Sequence, residues 1–497
     1  MNEDSNATSV PGDSANAAAR SIFSAELRPI TGAVLMATAL VAFDALSVIT
    51  ILPTVGADLG RIDFLPWVIS AFLLASSISV LAAGPAIDAW GAQRIFRVSV
   101  AALVVTSAGA GLAPSMPVLI AFRLGQGAAG GAAFTVGLAT AAIAYPPALR
   151  ARAYAASSSV WGVSSVVAPA LAAGLAAASS WRVVFFVNIP LGALAVAMAW
   201  RHLPGPVQAT AKDRPVDWRG LALIAAFSTT TLIGVTAFTR WSALAFFAAG
   251  IFAFAYCRYA QRVASPLLEL RYVTERPFAI INVLGFASIA AVLPVVAFLP
   301  LYIEVGLNRS TGLASLALTG LSIAWAVGAI FSSRLLDRFS ETTVASIGLS
   351  IAVAGGTMGM MLVSESTAVW VVFVVPMMMG LGLGLTTNAL LSALQLAARD
   401  AERGRAVASH QYARAFGNAI GPAVGGGLIL LAVGRHVADT GLLQELLAGR
   451  ESAMSTAARI GVADGFRWAH AVTAGMALSC LVALRLRPLV VERAPQK

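Results

Sequence analysis

Asp44 and Arg123 stand out first, because each lies inside a long apolar run where a charge is costly. An Asp at the centre of a membrane-crossing helix costs at least about 2.5 kcal/mol on insertion scales. Asp44 lies about eleven residues from the outer end of its run, roughly 16 Å deep at 1.5 Å per residue. Low-dielectric surroundings disfavour the charged form of any carboxyl. An Asp that is neutral when enclosed and ionised when open to water is a proton carrier. Arg123 lies roughly 9 Å deep in a later run, within a long side chain's reach of Asp44 if the two helices are neighbours. Reversible proton binding, tuned by Arg123, is the expected chemistry; a purely structural role for each is the plain alternative. A second set, His410, Arg414 and Asn418, is spaced i, i+4, i+8 and makes one polar stripe on a helix. With Trp161, Asn388 and Glu304 these residues are candidates for a substrate cavity, against the alternatives of interhelical anchors, packing and an interfacial Glu.

Other chemistries find no foothold. Four His and two Cys (Cys257 and Cys480) show no metal-ligand spacing, and no phosphate-binding loop of the Walker type occurs. Gly125-Gln-Gly127-Ala-Ala-Gly130 satisfies a dinucleotide pattern, yet it sits in an apolar helix with no preceding strand. No cofactor, metal or nucleic acid is expected. The formal charge of +10 does not form a patch. Only Lys212 and Lys497 are Lys among 33 basic residues, and the Arg cluster at the ends of apolar runs, the pattern of topology signals.

The elements that must carry these residues follow from composition. The chain is 58% hydrophobic and 11% charged over 497 residues, with mean hydropathy +0.82. Soluble domains carry about 25% charged residues. Apolar runs of about 20 residues, each able to cross about 30 Å as a helix, recur along the chain. Fourteen segments are placed, with both termini in the cytoplasm because most Arg then fall in tails and inner loops. The expected class is an all-α polytopic membrane protein with 14 transmembrane helices.

Helix punctuation repeats once. Arg152, Pro169 and Gly174 are matched by Arg405, Pro422 and Gly427 at an offset of 253 residues. Gly127 and Gly131 recur at that offset as Gly380 and Gly384. Six helices fill only part of such an offset, so one extra hairpin must lie between two six-helix bundles. The expected organisation is a disordered tail over 1–28, a bundle over 29–203 and a linker with inserted hairpin over 204–262. A second bundle over 263–487 follows, with a long outer loop at 434–465, and then a short tail over 488–497. Duplicated bundles that rock about a midplane site are the expected machinery.

Several motifs resemble the major facilitator superfamily, in particular its fourteen-span drug:proton antiporter branch. Asp44 leading to Leu52-Pro53 is similar to the family's first-span pattern. Gly84-Pro-Ala-Ile-Asp88-Ala-Trp-Gly91-Ala-Gln-Arg94 resembles its inner gate loop, with Ala89, Ala92 and Gln93 where several basic residues are usual. Asp337-Arg338 occupies the matching place in the second half. Arg123-Leu-Gly-Gln126-Gly127 resembles a signature tied to proton handling. Trp181-Arg182-Val-Val-Phe-Phe-Val-Asn188-Ile-Pro190-Leu-Gly192 is the most specific match. Ala168-Pro169-Ala-Leu-Ala172-Ala173 looks like a degraded antiporter motif, and Gly421-Pro422-Ala-Val-Gly425-Gly426 keeps its full form.

The resemblance implies a secondary transporter and not an enzyme. Its partners would be a small-molecule substrate, protons and the lipid bilayer, with no obligate protein partner evident. It would reside in the cytoplasmic (inner) membrane and export amphipathic drugs or related molecules, cationic ones included, in exchange for protons. Proton coupling would rest on Asp44 and Arg123, and gating on Gly84, Asp88, Gly91, Arg94, Asp337 and Arg338. A proton-linked uptake permease for a small nutrient is a second reading, and a non-transporting membrane sensor or scaffold a third.

Overall fold

A computed structural model describes residues 21–60, 64–199, 203, 216–237, 240–398, 403–436 and 456–489. The expected linker over 204–215, most of the outer loop and both distal tails lie outside the described residues. Apart from loops and one π-helical turn, those residues are α-helical, with no strand among them. A chain in hydrocarbon must satisfy its backbone within each segment, and the helix does so.

Helices α1 (Arg28–Leu59), α2 (Leu65–Trp90), α3 (Ala92–Gly111), α4 (Met116–Ala144) and α5 (Pro147–Ala178) lead into a broken pair, α6 (Trp181–Phe186) and α7 (Asn188–Ala199). The hairpin is α8 (Trp218–Ala237) and α9 (Arg240–Ala260). A short α10 (Arg271–Thr274) precedes α11 (Phe278–Leu301), which ends in a π-helical turn, Tyr302–Gly306. Next come α12 (Thr311–Leu336), α13 (Glu341–Leu362), α14 (Val369–Ala397), α15 (Arg403–His436) and α16 (Thr456–Leu486). Proline occupies the first turn of α1, α2, α4 and α5, where a missing N–H costs nothing.

Thirteen spans among the described residues are long and apolar enough to cross a membrane, against the fourteen expected. The helix outside that set is α4, which carries Arg123 and Gln126. Its 29 residues still extend about 44 Å.

Small residues set the closest contacts, as expected where lipid leaves only packing and polar contacts to hold helices together. A methyl group at Gly127 or Gly131 of α4 would overlap the Phe72 or Ser76 carbonyl of α2. Gly380 and Gly384 of α14 press in the same way on the Leu321 and Trp325 carbonyls of α12. The repeat seen in sequence is therefore a repeat of one helix–helix contact. Helices α1–α7 pack mainly on one another, as do α11–α16, and the two groups meet where α2 runs along α15 and α5 along α12. Val105, Val163, Phe247, Phe254, Leu316 and Met361 are exposed, which suits a surface bathed by lipid tails.

The inserted hairpin lies across a seam between the two groups, with α8 packed on both α2 and α15. Phe227 of α8, Phe286 of α11 and Tyr412 of α15 surround Phe416, with ring centroids 5.7, 5.8 and 5.8 Å away. Ser228 Oγ and Tyr412 Oη are 2.8 Å apart and buried. At the hairpin's base Asp217 accepts from Gly220 N, Leu267 N and Tyr259 Oη. A double-mutant cycle of Ser228→Ala and Tyr412→Phe should give a coupling of about 0.6 kcal/mol, the membrane average for such bonds. A coupling indistinguishable from zero in thermal melts would mean the contact is incidental.

Candidate functional site

Five helices deliver a closed polar cluster to the interior of the first group. Asp44 of α1 and Arg123 of α4 form an ion pair at 2.8 Å, each 1% exposed. The other Asp44 oxygen accepts from Gln126 Nε2 and from Asn188 Nδ2, both at 2.7 Å. Gln126 sits three residues after Arg123, on the same face of α4, and its Oε1 accepts from Arg123 Nη1 at 3.1 Å. Ser107 Oγ of α3 accepts from both amides, at 2.8 and 2.9 Å. The remaining Arg123 surface meets α2: Nε donates to the Val68 carbonyl at 3.1 Å, and the guanidinium lies 4.2 Å from the Phe72 ring centroid.

Every group that touches Asp44 donates a hydrogen bond to it. A carboxylate is acceptor-only, so this geometry belongs to the ionised residue. Protonating it would set an O–H against an N–H and remove the charge that balances Arg123. The observed arrangement therefore fits the ionised carboxyl and not the protonated one. Asn188 Oδ1 is buried without a partner. Rotation of that amide would turn an acceptor toward a protonated Asp44.

Asp44 and Arg123 were legible from their depth in apolar runs. Gln126 and Asn188 lay within quoted motifs, and their i, i+3 spacing and break-of-helix position were the available signals. Nothing in the sequence separates Ser107 from the other hydroxyls of apolar helices.

The two ends of the Trp181–Gly192 motif serve different places. Asn188 enters the buried cluster, whereas Trp181 and Arg182 clamp Asp58, beyond the α1 span that ends at Leu52. Arg182 Nη1 donates to Asp58 at 2.5 Å, Trp181 Nε1 at 3.0 Å, and Arg182 Nη2 reaches the Ala113 carbonyl at 3.2 Å. The Arg182 and then the Trp181 hydrogen bonds hold the Asp58 carboxyl below its usual range. A carboxylate so lowered lends stability above its ordinary value of about 4 and loses it as pH falls through the lower folded value. The contribution is modest because Asp58 is half exposed. Below about pH 4, Asp58→Asn should flatten the acid decline of the melting temperature relative to the parent; equal declines would exclude the clamp as its source.

The expected gate residues do not meet in this conformation. The Asp88 side chain lies outside the described set. Gly91 closes α2 with φ at 82°, a backbone form that favours glycine. Arg94, Asp337 and Arg338 are exposed and form no ion pair among the described residues. Gly84 approaches Ala408 of α15: a methyl at Gly84 would sit 3.9 Å from the Ala408 side chain. A pair on that side that sequence reading missed is Glu269 with Arg271 and Arg405. Arg405 is the repeat partner of Arg152, so its position was visible although its carboxylate was not.

The antiporter-motif helices differ in use. Gly421 and Gly425 of α15 press on Ala290, Leu293 and Pro294 of α11, and Gly426 on the Phe298 ring. Pro422 lies within α15 and Pro169 within α5. Gly174 of α5 faces open space. Trp161 meets Phe134 edge-on at 6.3 Å. Asn388 donates to the Ala329 carbonyl at 2.8 Å, a link between α14 and α12. Glu304 lies in the π-helical turn, half-buried.

In the second group His410 is fully enclosed and its Nδ1 lies 3.3 Å from Asn282 Oδ1. Asn282 donates to the Tyr272 carbonyl at 2.8 Å and to Ser409 Oγ at 3.0 Å. Arg414, half-buried, donates to Gln411 Oε1 at 2.9 Å. Asn418, one turn further on, is also half-buried.

Comparison with known proteins places this architecture. A family model described as Major Facilitator Superfamily matches residues 34–422 and 278–497. "Multidrug resistance protein 3" of Bacillus subtilis (strain 168) is 25% identical over 398 residues, 78% of this chain and 76% of that protein. "Tetracenomycin C resistance and export protein" of Streptomyces glaucescens is 27% identical over 416 residues, covering 82% and 76%. The solved structure of a proton:xylose symporter aligns with TM-score 0.64 at 12% identity, over 93% of this chain and 96% of that one; this likeness concerns the fold alone.

Proposed function

Because this chain belongs to the Major Facilitator Superfamily, we propose that it is a proton-coupled exporter of amphipathic small molecules in the cytoplasmic membrane, with both termini inside. The reading is carried by the Asp44 cluster: an ionised carboxylate that is 1% exposed, ion-paired at 2.8 Å and wholly donor-surrounded. The names of the multidrug and export relatives support the direction. Two six-helix bundles, 29–203 and 263–487, rock about the cluster and a facing cavity, and the hairpin rides on their seam.

In the cycle a proton reaches Asp44 from the outer side and releases Arg123, and the Asn188 amide turns to accept the new O–H. That state favours one orientation of the bundles. Cargo binds from the cytoplasm as the proton leaves there, and the restored ion pair favours the other orientation, in which cargo is released outside. Each charge moved across 100 mV supplies about 2.3 kcal/mol, so one proton supports substantial accumulation. Gly84, Asp88, Gly91, Arg94, Asp337 and Arg338 serve the inner gate in the state where it closes.

Purified protein in liposomes with an imposed pH gradient tests the reading. Dyes and amphipathic drugs should move against their own gradient only while the proton gradient lasts, and the lumen should change pH as cargo moves. Cargo movement that ignores the gradient would remove proton coupling.

A further inference from the structure

The intramembrane charges of the two groups are not balanced alike. Asp44 and Arg123 neutralise each other. Arg414 lies eleven residues into α15, about 16 Å from its start, and among the described residues it has no carboxylate in ion-pair reach. Its one hydrogen bond goes to the neutral Gln411, and its Nε is buried without a partner. One helical turn earlier the Nε2 of His410 is also buried without a partner. The two side chains flank Gly285 of α11: a methyl there would sit 2.5 Å from His410 Cε1 and 3.4 Å from Arg414 Cγ. The repeat-equivalent positions on α5 are Ser157, Trp161 and Ser165, so this cation is no shared device of the duplicated scaffold. A half-buried guanidinium at membrane depth that lacks a counter-charge is unfavourable.

We propose that Arg414, positioned by Gln411 beside His410, is the recognition point for an oxyanion on the exported molecule. The cargo is then an amphiphile with a carboxylate, phenolate or comparable acidic oxygen, and lipophilic cations are disfavoured. This rests on the export reading above and names its substrate class. A guanidinium offers a planar fork that matches a carboxylate, and Gln411 holds one arm of it while the buried Nε is left without a partner. The Nδ1 of a neutral His410 ring donates to Asn282 Oδ1, since both Asn282 N–H bonds are spent elsewhere. Its Nε2 is then a lone pair, suited to a hydroxyl next to the acid. His410 is closed off in this conformation, so that contact forms only when the bundles open. With one proton inward and one anion outward per cycle, two positive charges enter the cell, and the membrane potential drives export together with the pH gradient. A monocation exchanged for one proton would move no net charge.

The test uses the full chain in liposomes with an imposed pH gradient and a matched set: an aromatic amphiphilic carboxylate, its methyl ester and its trimethylammonium analogue. The acid should move at least about tenfold faster than either analogue, a modest share of what a buried charge contact is worth. A potassium–valinomycin potential, negative on the cytoplasmic side, should accelerate it further. In Arg414→Gln the acid-to-ester ratio should fall at least about tenfold, and Arg414→Lys should restore part of it. Equal rates for acid and cation, or an unchanged ratio in Arg414→Gln, would overturn the proposal while leaving proton exchange intact. If the gradient drives none of the three, the export reading fails, and thermal shift in detergent decides the site. Stabilisation by the acid in the parent and not in Arg414→Gln sustains it, and equal shifts for acid and ester refute it.

Discussion

Asp44→Asn is expected to lower gradient-driven transport at least about 100-fold, the scale of losing a group that, in the proposed cycle, takes and gives a proton. The amide keeps the size of the carboxyl, but it cannot bind a proton and no longer balances Arg123. Breaking a buried pair by neutralising one member leaves the other charge stranded, at about 3–5 kcal/mol. A lower melting temperature is therefore expected together with the loss of transport. Arg123→Gln added to Asp44→Asn should recover much of the stability, because no charge is then left uncompensated, and should recover none of the proton coupling. This split separates mechanism from folding. If Asp44→Asn in liposomes concentrates cargo as the parent does, the carboxyl is structural and the proton travels elsewhere.

Gly384→Ala should be more harmful than its size suggests. The new methyl would overlap the Trp325 carbonyl of α12, and a helix backbone cannot step aside as a flexible side chain can. Overpacking of this kind costs about 1–3 kcal/mol. Gly127→Ala meets the Phe72 carbonyl of α2 and should behave alike. Gly174→Ala is the control: nothing lies within 4 Å of the added methyl, and removing a mid-helix glycine should be neutral or stabilising by up to about 1 kcal/mol. Thermal melts and size-exclusion profiles of the three variants read this order directly. If Gly174→Ala were the most damaging, the motif on α5 would have a role its static surroundings do not reveal.

These variants also mark what could be read without coordinates. Gly127, Gly131, Gly380 and Gly384 announced close contacts by their spacing and their recurrence, since only small residues let membrane helices approach. They did not say which helix each would meet. Asp44 and Arg123 declared themselves by being charged where charge is costly, and depth along two helices made their meeting plausible. Ser107 could not declare itself, because a hydroxyl can satisfy itself on its own helix, as Thr230 does on the Ala226 carbonyl. Ser228 opens a Ser-Thr-Thr-Thr run with nothing in the sequence to single it out, yet it meets Tyr412. The gate residues Arg94, Asp337 and Arg338 were found by pattern, and in this conformation they stand exposed and unpaired among the described residues; a contact made in only one state of a cycle need not appear in another.

Sequence alone determined the all-helical membrane class, the recurrence of helix punctuation and the cost of each intramembrane charge. These are properties of single segments, since hydropathy, rise per residue and backbone satisfaction act locally. Tertiary structure alone decided which charges are balanced. Asp44 is matched by three donors from two other helices, and Arg414 by none of the carboxylates among the described residues. Electrostatic balance falls steeply with distance, and only packing sets the distances between helices far apart in the chain.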